Sequence, residues 1–324
     1  MTKTNFISDY ILAFDFGGTK LAAAIVDTSQ GTVLSRVDRE TPARQGAKAS
    51  LDVICSAGEE VLENVGINHS AIQGIGISFG GPISTDRRVV LRSMHVEAWE
   101  MLPLPQMLAD FFGKPASMDN DANAAALGEW VFGAGRETNN FLYVQVSTGI
   151  GAGLVLNRRL YRGSGLAGEF GHFTIWPNGP YCTCGKRGCI ESLASGWAIA
   201  REGVKSLKQR RSANLAELAG GDPSKISAKL VFQAAQEGDV VCLEIIHKAL
   251  RYLSIAIANA ICLVDPEAVV IGGGITRNNF PLLAVMQSQV EAFLPPMLRN
   301  RVRLSLAENR GNETLIGAAL LVKE

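Results

Sequence analysis

Three cysteines fall within eight residues, Cys182-Thr183-Cys184-Gly185-Lys186-Arg187-Gly188-Cys189, and Glu169-Phe170-Gly171-His172 precedes them with nine residues between His172 and Cys182. One imidazole and three thiolates make a closed set of the kind that holds Zn2+ tetrahedrally, with no position left for water. A redox pair is the other reading of clustered cysteines, but Cys-x-Cys is not the Cys-x-x-Cys spacing of thioredoxin-like chemistry. His172, Cys182, Cys184 and Cys189 are therefore expected to hold a structural zinc ion. Such a knuckle would stiffen a Gly- and Pro-rich segment and fix Glu169 and Glu191 beside it, carboxylates suited to bidentate hydrogen bonds with sugar hydroxyls. The scattered Cys55, Cys242 and Cys262 read as small buried hydrophobes.

A second group of chemically able residues is Asp119-Asn120-Asp121-Ala122-Asn123, which follows an apolar run and opens an alanine-rich stretch. Asp and Asn are preferred helix N-caps, and a cap alone does no chemistry. One cap needs one residue, however, and three capping-type residues in a row leave a carboxylate free to face a cleft. Asp121 in that place could act as a general base that takes a proton from a hydroxyl during phosphoryl transfer.

Two glycine turns complete the set. Asp15-Phe16-Gly17-Gly18-Thr19-Lys20 lacks the spacing of a Walker loop, and the run that follows it reads as a strand, which separates it from a dinucleotide fingerprint. It offers unobstructed N–H groups, a hydroxyl, a cation and a carboxylate able to organise a metal ion near phosphate. Ser147-Thr148-Gly149-Ile150-Gly151-Ala152-Gly153 offers more N–H groups and the Thr148 hydroxyl. Either alone could be a tight hairpin that needs glycine for positive φ. As a pair facing one cleft, with Gly272-Gly273-Gly274 able to let an adenine ring approach the backbone, they could hold a nucleotide triphosphate from both sides.

Positioning these residues requires strands that end at the turns. Tyr10–Phe14, Leu21–Val26 and Thr32–Val37 read as strands, followed by a helix over Leu51–Val65, a strand over Ile72–Phe79, a helix near Pro105–Phe112 and a strand over Ala116–Asp119. The pattern then repeats: strand Phe141–Val146, glycine turn, strand Leu154–Leu156. Two such units about 130 residues apart suggest a duplicated α/β architecture. Helices are expected over Ala194–Val204, Lys229–Glu237, Val240–Val264, 279–293 and Glu313–Val322, with strands at Ala268–Ile271 and Val302–Ala307. The final helix is expected to return to the N-terminal half.

Composition sets the outer limits. In 324 residues, Lys+Arg and Asp+Glu both number 31, so no net positive charge is available for a nucleic-acid backbone. The chain is 47% hydrophobic and 19% charged with 34 glycines, the balance of a packed, turn-rich protein long enough for two domains. The longest apolar stretch, Tyr252–Val264, falls short of the roughly 20 residues that span a bilayer and carries Ser254 and Asn259. No cationic segment with a long apolar core opens the chain, so a cytoplasmic location is expected.

Together the motifs resemble the ROK family of bacterial sugar kinases and repressors. The likeness runs from Leu12 to the last helix, and its most specific part is Glu169-x-x-His172-x9-Cys182-x-Cys184-Gly185-x-x-Gly188-Cys189-x-Glu191. The resemblance implies the duplicated hexokinase/actin-like ATPase fold (ribonuclease H-like), with residues 1–120 and 311–324 in a smaller domain and 121–310 in a larger one that carries the knuckle. It implies that Asp121 takes the proton of a hexose 6-hydroxyl, that Asn120, Glu169, His172 and Glu191 bind the pyranose, and that Gly81 lines the same pocket. His172 would bridge zinc and sugar through its two nitrogens. Asp15, Gly17, Gly18, Thr19, Lys20, Thr148 and Gly149 would hold the ATP phosphates with Mg2+, and Gly273 and Gly274 would approach the adenosine. Glucose is the first acceptor implied, with N-acetylmannosamine, N-acetylglucosamine, fructose and mannose as alternatives, and a non-catalytic sugar sensor as the alternative of another class. A dimer or tetramer is also implied. Gly80-Gly81-Pro82-Ile83 departs from the family's Gly-x-Pro-Gly, and Met94-His95 from its Pro-Asn pair, so His95 either replaces the asparagine's contact or lies on the surface. Only nine residues precede the first expected strand, too few for the repressors' helix-turn-helix, so DNA binding is not expected.

Overall fold

The computed structural model describes residues 9–18, 20–93, 96–277, 281–309 and 311–324. Strands β1 (Tyr10–Phe16) and β2 (Lys20–Asp27) form an antiparallel hairpin around the first glycine turn, and β3 (Thr32–Glu40) continues the meander. Helix α1 (Gly46–Val65) starts five residues earlier than its apolar periodicity suggests and stops at Gly66, whose φ of 75° is the left-handed cap glycine allows. Strand β4 (Gly74–Phe79), helix α2 (Leu104–Phe112) and strand β5 (Ala116–Asn120) follow, with β4 and β5 parallel to β1. Helix α3 (Asp121–Phe132) then leaves the end of β5, its N-terminus capped by the Asn120 side chain, which accepts from Ala122 N–H at 2.9 Å.

The second half repeats the plan. Strands β6 (Phe141–Val146), β7 (Ile150–Leu156) and β8 (Arg159–Tyr161) form the meander. Helices α4 (Glu191–Ala194), α5 (Gly196–Lys208), α6 (Ala213–Leu218), α7 (Ala228–Gln236) and α8 (Val240–Val264) lead to β9 (Ala268–Gly272), parallel to β6. Helix α9 (Leu282–Phe293), β10 (Arg303–Leu306) and α10 (Glu313–Leu320) complete the chain. The sheet orders are β3-β2-β1-β4-β5 and β8-β7-β6-β9-β10, the same topology twice. The duplication suggested by the paired glycine turns is therefore present in the strand order.

Strand burial shows how the first sheet is covered. Leu12, Phe14 and Phe16 face a core shared with α1 and α2, whereas the alternating Ile11 and Ala13 face Leu315, Ile316 and Ala319 of α10. Because both faces are covered, β1 and β2 are apolar throughout rather than alternating. Helix α10 thus packs on the first sheet, as expected, while α3 packs on β6 and β7 of the second through Ala125 and Ala126. The two helices cross each other between the sheets, and both contact points are glycines, Gly128 and Gly317.

Several boundaries differ from the sequence reading. The stretch from Ser147 to Gly153 is a turn only through Gly149; β7 begins at Ile150, and its glycines are there because α3 lies on top. A Cβ on Gly153 would come within 2.4 Å of Ala126 Cβ. The helix expected over Ala194–Val204 is two, α4 and α5, broken at Ser195, whose hydroxyl caps α5 by accepting from Ala198 N–H. Positions 279 and 280 of the helix expected over 279–293 lie outside the described residues; its described part begins at Leu282. Strand β8, of three residues, and helix α6, of six, are too short to show a period. Cys242 is buried as expected, but Cys55 is half-buried and Cys262 is exposed, on the outer side of α8 next to the exposed Leu263. Among the described residues no helix is long and apolar enough to cross a membrane.

Candidate active site

A pocket of about 490 Å3 opens between the two sheets, a volume in the range of small-molecule sites. Its first-half wall is the end of β1 with Asp15, Gly17 and Gly18, together with Gly80 and Gly81 after β4. Parallel strands of both repeats end here, so the residues just beyond them meet, as ligand-binding residues do in open α/β sheets. Asn120 and Asp121 lie at the floor, and Thr148, Gly149, Glu169, His172 and Glu191 form the opposite wall.

Asp121 is held by two hydrogen bonds. Its Oδ1 accepts from its neighbour Ala122 N–H at 2.9 Å, and its Oδ2 accepts from Gln145 Nε2 at 2.7 Å. Gly80 adjoins it, a Cβ there being 3.7 Å from Oδ2, at ordinary contact distance. Desolvation, and then the nearby Asp15 charge, push the Asp121 carboxyl up to about 7. Asp15 is itself raised, chiefly by desolvation, despite accepting from Ser78 Oγ at 2.7 Å and Thr314 Oγ1 at 3.2 Å. Two carboxylates in one cleft with raised proton affinities are a frequent mark of catalytic acid–base groups.

The glycine turns are fastened from behind. Gly17 N–H donates to Lys20 C=O at 2.9 Å, and Thr41 Oγ1 donates to Gly17 C=O. On the second turn, Gly196 N–H donates to Ser147 C=O at 2.8 Å and Trp197 N–H to Thr148 C=O at 3.2 Å, which ties it to the start of α5. Gly273, at φ 90°, packs on β6 so tightly that a Cβ would lie 2.5 Å from Val146 C=O oxygen, and Gly274 adjoins Ser147. The triple-glycine turn thus borders the second phosphate-type turn without lining the pocket itself. Lys20 is exposed and does not line the pocket, and Thr19 and His95 lie outside the described residues.

The cysteine cluster forms behind the opposite wall. Bridges of Tyr181 with Arg187 and Thr174 with Cys189 fold the segment into a knuckle, with Gly185 and Gly188 at positive φ. His172 Nδ1 lies 3.7 Å from Cys182 Sγ, and Cys184 Sγ lies 3.6 Å from Cys189 Sγ. All four ligand atoms are within 4.8 Å of one another. A tetrahedral ion with Zn–S bonds of about 2.3 Å separates its sulfurs by about 3.8 Å, so the donor set fits. The other nitrogen, His172 Nε2, faces Glu169 Oε2 at 3.7 Å, on the pocket side. Glu191, which opens α4 just after Cys189, accepts from Ile150 N–H at 3.1 Å and lies against Gly149.

Sequence reading did not single out Gln145, Ser78 or Thr314. Gln145 and Ser78 had a signal, as lone polar residues near the ends of otherwise apolar strands. Thr314 had none, because it meets Asp15 across 299 positions of sequence.

Comparison with known proteins agrees with this arrangement. The ROK family profile matches residues 11–324. A glucokinase of Thermotoga maritima is 36% identical over 318 residues, covering 97% of both chains. An N-acetylmannosamine kinase of Shigella flexneri is 33% identical over 316 residues, covering 97% of this chain and 98% of that protein. A ROK glucokinase from Streptomyces griseus, solved with glucose and AMPPNP, superposes with a TM-score of 0.86 at 32% identity, covering 96% of this chain and 98% of the other. Duplicated sheets around a carboxylate-floored cleft and these likenesses define a sugar kinase on the hexokinase/actin-like ATPase fold. The chain belongs to the ROK family.

Proposed function

We propose that the protein transfers the γ-phosphoryl group of ATP to the 6-hydroxyl of a hexose, with glucose the preferred acceptor. The observation that carries this reading is Asp121, a desolvated carboxylate with its proton affinity raised to about 7, set in one pocket with two glycine turns and the polar side chains of Glu169, His172 and Glu191. Asp121 accepts the acceptor hydroxyl's proton as that oxygen bonds to the γ-phosphorus and the bond to the β–γ bridging oxygen breaks, releasing ADP. Asn120, Glu169, His172 and Glu191 would hold the pyranose hydroxyls, with Gly81 backbone along one edge. The N–H groups of Gly18 and Gly149 and the Thr148 hydroxyl would receive the phosphates, with Gly17, whose N–H closes the hairpin onto Lys20 C=O, letting them approach the backbone, and Gly273-Gly274 would receive the adenosine.

Asp15, fixed by Ser78 and Thr314 at the phosphate end, would hold Mg2+, which would neutralise phosphate charge. Zinc on His172, Cys182, Cys184 and Cys189 would be structural: with the Nδ1 side committed, Nε2 of His172 is left to face the sugar. The packing of α10 on the first sheet supports a smaller domain of residues 1–120 and 311–324 and a larger one of 121–310.

A coupled assay with ATP and glucose, mannose, fructose, N-acetylglucosamine or N-acetylmannosamine tests the reading. Glucose should give the highest kcat/KM. A higher value for another hexose reassigns the acceptor, and turnover with none overturns the proposal.

A further inference from the structure

Asp119, beside the Asn120-Asp121 pair, is almost fully buried, with its side chain 3% exposed. A lone carboxylate there would be costly, and every oxygen is in fact occupied. Oδ1 accepts from Asn120 N–H at 2.7 Å and from Asn123 Nδ2 at 2.9 Å, so it fixes the peptide preceding Asn120 and an amide in the pocket wall. Oδ2 accepts from Arg162 Nε at 2.6 Å, and Arg87 Nη1 lies 3.7 Å away. The Arg162 Nη2 donates to Glu324 Oε2, which Arg87 also approaches at 3.5 Å. Since Arg162 follows β8 and Asp119 is in β5, the pair joins the two sheets.

From Arg162 the chain runs directly into the pocket. Arg162 C=O accepts from Gly165 N–H at 2.8 Å and Ala167 N–H at 3.2 Å, and residues 165–169 line the cavity. Gly165, at φ 113°, abuts Thr85 so closely that a Cβ would lie 2.5 Å from its methyl carbon. Gly168 C=O accepts from Ala152 N–H at 3.0 Å, which ties the far end of the segment to β7. A guanidinium that sets Nε on the buried Asp119 carboxylate and Nη2 on Glu324 is the charged anchor at the near end, and its directionality fixes where the segment starts.

We infer that Arg162 is a positioning residue for the sugar-binding side of the cleft: its ion pair with Asp119 fastens the segment that follows it, whose residues 165–169 line the pocket, and with it Glu169, to the strand end that leads into Asn120 and Asp121. The inference rests on the sugar-kinase reading for its consequence, and on the ion pair alone for its mechanism.

The test uses the full-length protein with Arg162→Gln and Arg162→Lys. Loosening the segment should raise KM for the hexose that wild type turns over by about tenfold in Arg162→Gln, with KM for ATP within about twofold, because displacement of a binding group by a fraction of an ångström is felt at the bound ligand. Arg162→Lys keeps the charge but loses the fork and should fall between. Hydrogen exchange at Gly165 and Ala167, measured without ligands, should speed up by about tenfold in Arg162→Gln, since local opening limits exchange there. Where Arg162→Gln does not fold, the lysine variant carries both readouts with smaller shifts. Unchanged exchange overturns the fastening; faster exchange with unchanged hexose KM, or an equal rise in KM for ATP, overturns the positioning role. A wild type without turnover on any hexose would sink the kinase reading, while the exchange result would still decide whether the pair fastens the segment.

Discussion

Gln145 Nε2 donates to Asp121 Oδ2 at 2.7 Å, joining the end of β6 in the second sheet to the first residue of the helix that leaves the first. This bond favours the ionised carboxylate, whereas desolvation and the Asp15 charge oppose ionisation and win, leaving Asp121 at about 7. The balance puts a proton acceptor near neutral pH, where a general base is most effective.

The kcat/KM for hexose should therefore climb with pH through about 7 as Asp121 loses its proton, and fall on the acid side. Asp121→Asn should lower kcat by about 10^2–10^4-fold while hexose affinity stays within about threefold, since the amide keeps the shape but accepts no proton. An unchanged kcat removes Asp121 from the base's role. Stability carries the same signature: folded Asp121 holds its proton more tightly than the unfolded residue, so its contribution declines as pH rises from about 4 to about 7. Thermal scans across that window should show a weaker decline in Asp121→Asn than in wild type.

Gln145→Leu removes the donor that stabilises the charged carboxylate. The acid limb of kcat/KM should then move to higher pH, with activity at pH 6 reduced more than at pH 8. A limb at the wild-type position would show that the bond has no part in setting the proton affinity of Asp121.

Purified protein with reduced thiols should contain about one zinc per chain, because the four donors are already gathered at metal-ligand spacing. Chelation or Cys184→Ser should weaken hexose binding by at least about tenfold and lower Tm, with a smaller effect on KM for ATP, since the knuckle holds His172 and adjoins Glu191 directly but reaches the glycine turns only through the Glu191 contact with Gly149 and Ile150. Zinc well below one per chain, or loss of zinc without loss of hexose affinity, contradicts this assignment.

What could be read in the sequence was whatever chemistry lies in short contiguous runs. Asp119 to Asn123, the two glycine turns and the His172-to-Glu191 knuckle each announce themselves by residue type and spacing, and the fold brings most of them to one pocket. Contacts between distant segments carried no such signal: Thr314 with Asp15 and Arg162 with Asp119 depend on which elements the sheets place side by side. Gly151 and Gly153 were misread for a related reason. Glycine permits a turn and also close packing, and only the position of α3 over β7 shows that packing is the cause. The polar β8 is equally silent, being three residues long with only Leu160 buried.

Gly317→Ala tests the helix crossing that unites these parts. A Cβ at Gly317 would lie 1.6 Å from Ala124 C=O oxygen on α3, and one at Gly128 would lie 2.4 Å from Glu313 C=O oxygen on α10. Both obstacles are backbone, so no rotamer change relieves them and the helix axes must separate. Helix propensity alone would make Gly→Ala stabilising by up to about 1 kcal/mol. Overpacking of this kind costs about 1–3 kcal/mol, or more where backbone must move, so the sign of the change is diagnostic. The Tm should drop by several degrees, and kcat should fall with it, because α3 begins at Asp121 and α10 carries the Thr314 hydroxyl that holds Asp15. A Tm at or above that of wild type would show that α3 and α10 do not meet backbone to backbone in solution, and would detach the two carboxylates from the crossing that sets their separation.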